Sequence, residues 1–112
     1  MLSIPDDPIL TEVIRRIVEV AHPERIILFG SAARGEGGPD SDLDLLVVKS
    51  GVHRRRLAHA IYRHLIGVGF PVDVIVVTPE DIERYRDAPG LIIEPALREG
   101  KVVYERPTAS AE

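Results

Sequence analysis

The sequence predicts an α/β chain of the α+β kind, a mixed and mainly antiparallel sheet backed by helices. Three observations carry that expectation. The hydrophobic patterns come in the order helix, strand, strand, helix, strand, helix, helix, strand, which breaks a simple βαβ alternation. The first two strands are joined by only a short glycine-rich loop, residues 30–41, and such a loop favours an antiparallel pair. Arg25 to Phe29 is almost wholly apolar, the mark of a strand buried on both faces.

Asp7-Pro8 reads as a helix start, an N-cap side chain followed by proline where its missing N–H costs nothing. Leu10, Val13, Ile14, Ile17, Val18 and Ala21 then recur at helical spacing, with Thr11, Glu12, Arg15, Arg16 and Glu19 on the other face. His22-Pro23 ends this helix. After the strand Arg25 to Phe29 and the glycine loop, Asp42 to Val48 is a second strand, closed by Lys49-Ser50-Gly51. A helix from about His53 to Val68 buries Leu57, Ile61, Leu65 and Val68, flanked by Ala58 and Tyr62, and stops at Gly67 and Gly69. Pro71 to Val77 is a third strand. Thr78-Pro79-Glu80-Asp81 starts a short helix to about Arg86, with a threonine cap, proline in the first position and Asp81 placed for a capping box. Asp87 to Gly90 is a turn, Ile93 to Glu99 a last short helix stopped by Gly100, and Val102 to Glu105 a terminal strand or extended edge. The expected organisation is one domain over 1–105 with a loose polar tail over 106–112.

Length and composition narrow the function classes. A chain of 112 residues, 45% hydrophobic, can bury one ordinary core and has no room for a separate substrate domain. It has no cysteine, hence no disulfide framework and no thiolate metal site; this fits a reducing cytoplasm. No apolar stretch approaches the ~18 residues of a membrane span, and no basic segment precedes a long apolar one at the N-terminus. The formal charge of −4 argues against holding nucleic acid by bulk electrostatics.

The residues able to carry chemistry gather around the glycine loop. Asp42 and Asp44 stand two apart at the mouth of the apolar run Leu45 to Val48, so on a strand they share one face, roughly 6.5 to 7 Å apart. Carboxylates so placed can share divalent cations, and the turn before them can present backbone N–H groups to phosphates. Asp73 is the one charge within Val72 to Val77. An isolated carboxylate in such a strand is costly unless something pairs with it. It is either a water-facing residue at a strand edge or the third member of a group with Asp42 and Asp44, since adjacent strands lie roughly 4.8 Å apart. Three converging carboxylates repel one another, and a bound cation reverses that balance. Oxygen ligands and a phosphate substrate point to Mg²⁺, or Mn²⁺.

Gly30-Ser31-Ala32-Ala33-Arg34-Gly35, five linking residues, and Ser41-Asp42-Leu43-Asp44-Leu45 together resemble the signature of the DNA polymerase beta-like nucleotidyltransferase superfamily. The smallest members, the minimal nucleotidyltransferases, are close to this chain in length. The resemblance implies the nucleotidyltransferase fold, with Asp42, Asp44 and Asp73 catalytic and metal-binding, Asp73 helping to hold the ion that activates the acceptor hydroxyl. Gly30, Ser31, Arg34 and Ser41 fall in the nucleotide-binding segment. Gly30 allows close backbone approach; Ser31 offers a hydroxyl to a triphosphate; Arg34 either contacts phosphate or pairs with a carboxylate and braces the loop; Ser41 caps the turn and orients Asp42. The implied reaction moves a nucleoside monophosphate, AMP from ATP or another NTP, to a hydroxyl with release of pyrophosphate. Larger relatives carry a second domain, so another copy or a different protein must complete the site here. By resemblance that protein is a small helical HEPN-like toxin, with this chain as antitoxin. The alternatives are an antitoxin acting by contact alone and a transferase for a small molecule.

Other readings of the same residues fail. Asp40, Asp42 and Asp44 have the opening spacing of an EF-hand, but its glycine would fall at Leu45 and its closing glutamate at Gly51. There is neither a Walker phosphate loop nor a dinucleotide fingerprint. His53, His59 and His64 lack the i, i+4 spacing of a metal pair and read as exposed helix residues, and Arg54-Arg55-Arg56 reads as a solvated face.

Overall fold

The computed structural model describes residues 8–30, 33, 42–88 and 91–107. Its elements are α1 (Pro8–Ala21), β1 (Arg25–Phe29), β2 (Leu43–Val48), α2 (Arg54–His64), β3 (Val72–Val77), α3 (Pro79–Tyr85), α4 (Ile93–Glu99) and β4 (Lys101–Glu105). The strands form one mixed sheet in the order β3-β2-β1-β4. β1 is antiparallel to both β2 and β4, and β2 runs parallel to β3, with α2 as the crossover. The expected antiparallel pairing across the glycine loop is therefore present, and two of the three strand pairs are antiparallel.

Strand alternation sorts the core into two layers. Ile26, Leu28, Leu45, Val47, Val74 and Val76 face α1 and α2, which supply Leu10, Val13, Ile14, Ile17 and Ile61, with Leu65 just past the end of α2. Ile27, Phe29, Leu46, Val48 and Val77 face α3 and α4, which supply Ile93 and Ala96 with Ile82, Tyr85 and Leu97 beside them. Because β1 and β2 are covered on both sides, their residues from Ile26 to Phe29 and from Leu45 to Val48 are all buried. Each such side chain contributes about 1.5 to 3 kcal/mol by leaving water.

Local signals account for the helix ends. The capping box of α3 forms as its residues require: the Thr78 hydroxyl accepts from the Asp81 N–H at 3.1 Å, and Asp81 Oδ2 accepts from the Thr78 N–H at 3.0 Å. α1 stops at His22, which takes a left-handed φ of 46° before Pro23. The His22 carbonyl is held from outside, by Lys49 Nζ at 2.9 Å and by the Arg106 guanidinium.

One helix differs from expectation. α2 ends at His64 rather than Val68. Its last turn tightens: the Leu65 N–H donates to Ile61 O and also to Tyr62 O, at 3.0 and 3.1 Å, and the Ile66 N–H reaches Arg63 O at 3.4 Å. Gly67, with a φ of 90°, then turns the chain. Arg16 of α1 donates to Ile66 O at 3.0 Å, satisfying a carbonyl just beyond the helix end. Arg54, Arg55 and Arg56 are exposed as expected, and Arg54 also bonds Asp81 Oδ2 at 2.9 Å and ties the start of α2 to α3. His53, His59 and His64 are exposed as expected.

Candidate active site

The acidic residues meet at one end of the β2–β3 pair. The strand register sets Phe29 opposite Asp44 and Asp44 opposite Asp73, making a row across β1, β2 and β3. Alternation turns this row to the face covered by α3 and α4, below the apolar layer that holds Leu46 and Ile75. Asp44 is half-buried; Asp42, one residue before β2, and Asp73, on an edge strand, are exposed. Burial raises the Asp44 carboxyl above its ordinary value, and the charges of Asp73 and then Asp42 raise it further. Among the described residues no arginine, lysine or histidine pairs with any of the three.

Gly30 is shaped by this group. It follows β1 with a φ of 78°, and the Ala33 N–H closes the start of the turn by donating to Gly30 O at 3.1 Å. A Cβ at position 30 would stand 2.3 Å from Asp44 Oδ2 and 3.2 Å from Asp44 Cγ. The missing side chain of Gly30 is thus the space the Asp44 carboxylate occupies. Ser31, Arg34 and Ser41 lie outside the described residues.

A cleft of about 460 Å³ opens over the row. Phe29, Gly30, Asp44 and Asp73 form its acidic end; Ile92, Pro95 and Glu99 of the α4 segment and Tyr62 of α2 form its walls. A larger hollow of about 650 Å³, beside Val52, His53, Arg54 and Arg55, lies past the far end of β2 and has no carboxylate in its lining. Position in the cleft, rather than size, marks the first as the candidate site.

The donor set has the chemistry of a hard divalent cation, oxygen only and mutually repelling. Among the described residues no three acidic or imidazole groups close into a ready cage. Sequence reasoning missed the walls. Tyr62 reads as the flank of a buried helical stripe, yet it is 42% exposed and lines the cleft. Ile92 and Pro95 give no local signal at all, since only the return of α4 across β1 brings them near Asp44.

Comparison with known proteins agrees with this geometry. Residues 10–103 match the nucleotidyltransferase domain family. A Methanocaldococcus jannaschii protein named as a candidate protein adenylyltransferase is 34% identical over 87 residues, covering 72% of this chain and 58% of its own. The chain thus spans little more than half the length of that relative. A candidate nucleotidyltransferase from Sulfolobus solfataricus superposes with a TM-score of 0.61 at 20% identity, over 88% of this chain and 78% of its own. A chain of the toxin–antitoxin MntA-HpeT superposes with a TM-score of 0.61 at 14% identity, over 86% of this chain and 72% of its own. A toxin–antitoxin structure with AMP-PNP gives 0.57 at 20% identity, over 85% and 73%. At these identities the structural likeness is one of fold. The family match runs from the first helix to the last strand and contains the whole acidic row, so the chain belongs to the nucleotidyltransferase domain family.

Proposed function

We propose that this chain is a Mg²⁺-dependent nucleotidyltransferase that moves AMP from ATP to a hydroxyl on a HEPN-like partner protein, as the antitoxin of a toxin–antitoxin pair. The observation that carries the reading is the row Phe29–Asp44–Asp73 beside Gly30, two carboxylates in register with a residue next to them that has no side chain. The relative named for protein adenylylation supports a protein acceptor, and the toxin–antitoxin neighbours support the setting.

In this mechanism the glycine turn from Gly30 cradles the triphosphate with backbone N–H groups, aided by Ser31 and Arg34. Asp42, Asp44 and Asp73 would hold Mg²⁺, which supplies neutralisation of phosphate charge as pyrophosphate departs. The acceptor oxygen attacks the α-phosphorus; a new P–O bond forms, the bond from that phosphorus to the oxygen bridging to the β-phosphate breaks, and pyrophosphate leaves. Asp73, exposed on the edge strand, takes the hydroxyl proton. Ile92 and Pro95 shield one flank, while among the described residues the other stays open. An open site orients an acceptor poorly, and a protein acceptor supplies the missing wall itself.

The test mixes wild type and Asp42→Ala/Asp44→Ala with the partner and Mg-ATP, and weighs the partner by mass spectrometry. An AMP adduct with wild type alone is the expected result. Complex formation and neutralisation by both forms without adduct would leave an antitoxin that acts by contact. No complex would return the acceptor to a small molecule.

A further inference from the structure

β3 is an edge strand, bonded to β2 on one side only. Among the described residues, one side chain, that of Tyr62, hydrogen-bonds its outer side. The Tyr62 hydroxyl accepts the Val74 N–H at 2.7 Å and lies 3.4 Å from Val74 O, to which it donates. Val74 therefore directs its backbone polar groups away from β2, and one phenol satisfies both.

The bond matters because of which peptide it holds. The N–H of Val74 belongs to the peptide plane that begins at Asp73, so fixing it fixes the backbone torsion that aims the Asp73 side chain. Asp73 needs that restraint. It sits on an edge strand, held by the sheet on one side only, opposite Asp44, whose charge pushes it outward. Tyr62 is itself well anchored: its neighbour Ile61 is fully buried, Arg16 of α1 bonds the Ile66 carbonyl, and Glu19 of α1 bonds His64 Nε2 at 2.9 Å. A continuous set of contacts thus runs from α1 through the end of α2 to the Asp73–Val74 peptide.

We infer that Tyr62 is a positioning residue of the nucleotidyl-transfer site, clasping the free edge of β3 through the Val74 peptide so that Asp73 stays beside Asp44. The inference rests on the proposed function, because it gives Asp73 its task. It is separate from any contact the Tyr62 ring makes with substrate in the cleft.

Tyr62→Phe removes the hydroxyl and keeps the ring. Three readings are taken on the full chain: hydrogen exchange at the Val74 amide, Mn²⁺ binding by calorimetry, and the steady-state kinetics of nucleotidyl transfer. The expected result is protection of Val74 in wild type and its loss in Tyr62→Phe, with Mn²⁺ affinity and kcat each lower by about tenfold, the usual size for loss of a residue that orients a ligand. KM for ATP stays within about twofold, because an orienting group acts on the reacting geometry rather than on uniform binding. A Val74 amide that exchanges freely in wild type overturns the clasp. Lost protection with unchanged Mn²⁺ affinity and kcat overturns the positioning role and leaves Tyr62 as an edge cap only. A wild type that binds no Mn²⁺ and transfers nothing overturns the functional reading and this inference with it, whereas an active wild type with an indifferent Tyr62→Phe overturns this inference alone.

Discussion

Gly30→Ala separates the strain of a turn from the occupancy of a site. Two penalties act at this position. A φ of 78° places any L side chain in the left-handed region, at about 1 to 2 kcal/mol. The new Cβ would also meet Asp44 Oδ2 at 2.3 Å. The obstacle is the end of a side chain, so Asp44 rather than the backbone gives way, at about 0.5 to 1.5 kcal/mol for an off-rotamer angle. The sum is about 2 to 3 kcal/mol, or a fall in Tm of about 10 °C for a domain of this size. Gly51 supplies the control: its φ is 71°, yet nothing lies within 4 Å of a Cβ there, so Gly51→Ala reports strain alone. The difference between the two melts isolates the Asp44 collision. A second control removes the obstacle. In Asp44→Ala the nearest remaining atom is Asp44 Cβ at 3.4 Å, an ordinary contact, and adding Gly30→Ala to it should cost no more than Gly51→Ala costs wild type. Transfer activity should fall further than stability, by about a hundredfold, because the displaced group belongs to the reacting geometry. Equal losses for Gly30→Ala and Gly51→Ala, with metal binding and activity intact, would refute the argument that Gly30 exists to make room for Asp44.

Three further outcomes are expected. Asp44→Asn should abolish transfer yet raise Tm in EDTA, since carboxylates about 5 Å apart repel by about 1 to 3 kcal/mol; a large loss of stability in EDTA would make Asp44 structural. Gly100→Ala should destabilise by about 2 to 3 kcal/mol in a denaturant melt, because its Cβ would lie 2.2 Å from Ala96 O, 2.6 Å from Ile27 Cγ2 and 3.0 Å from Leu28 O, and the two carbonyls cannot turn aside. Hydrogen bonds from Arg15 and then Arg16 hold the Glu12 carboxyl down to about 2 from 4.5. Its folded value is below its unfolded one, so its contribution is present above about 4.5 and is lost as pH falls through about 2; Glu12→Gln should flatten the acid limb of the stability curve in that window.

Much of this protein is written locally. The spacing of Leu10 to Ala21 makes a helix with one buried face wherever that helix is placed, and Thr78-Pro79-Glu80-Asp81 caps a helix with its own side chains. Ile93 to Glu99 stops where Gly100 follows. The period of two also predicts a common face for Asp42 and Asp44, with β2 itself beginning at Leu43, between them. The end of α2 was not legible: its last turn tightens instead of continuing, and Arg16, 50 residues away, holds the Ile66 carbonyl beyond it.

Residue type and short-range spacing therefore determined most of the elements, the antiparallel β1–β2 pair and the carboxylates at the mouth of β2. Only the tertiary structure decided the register that sets Asp73 opposite Asp44, the return of α4 that brings Ile92 and Pro95 to the cleft, and the reach of Tyr62 to the free edge of β3. Strand pairing and helix docking are choices among distant segments, made by the total burial of two apolar layers, and no window of local sequence contains that sum.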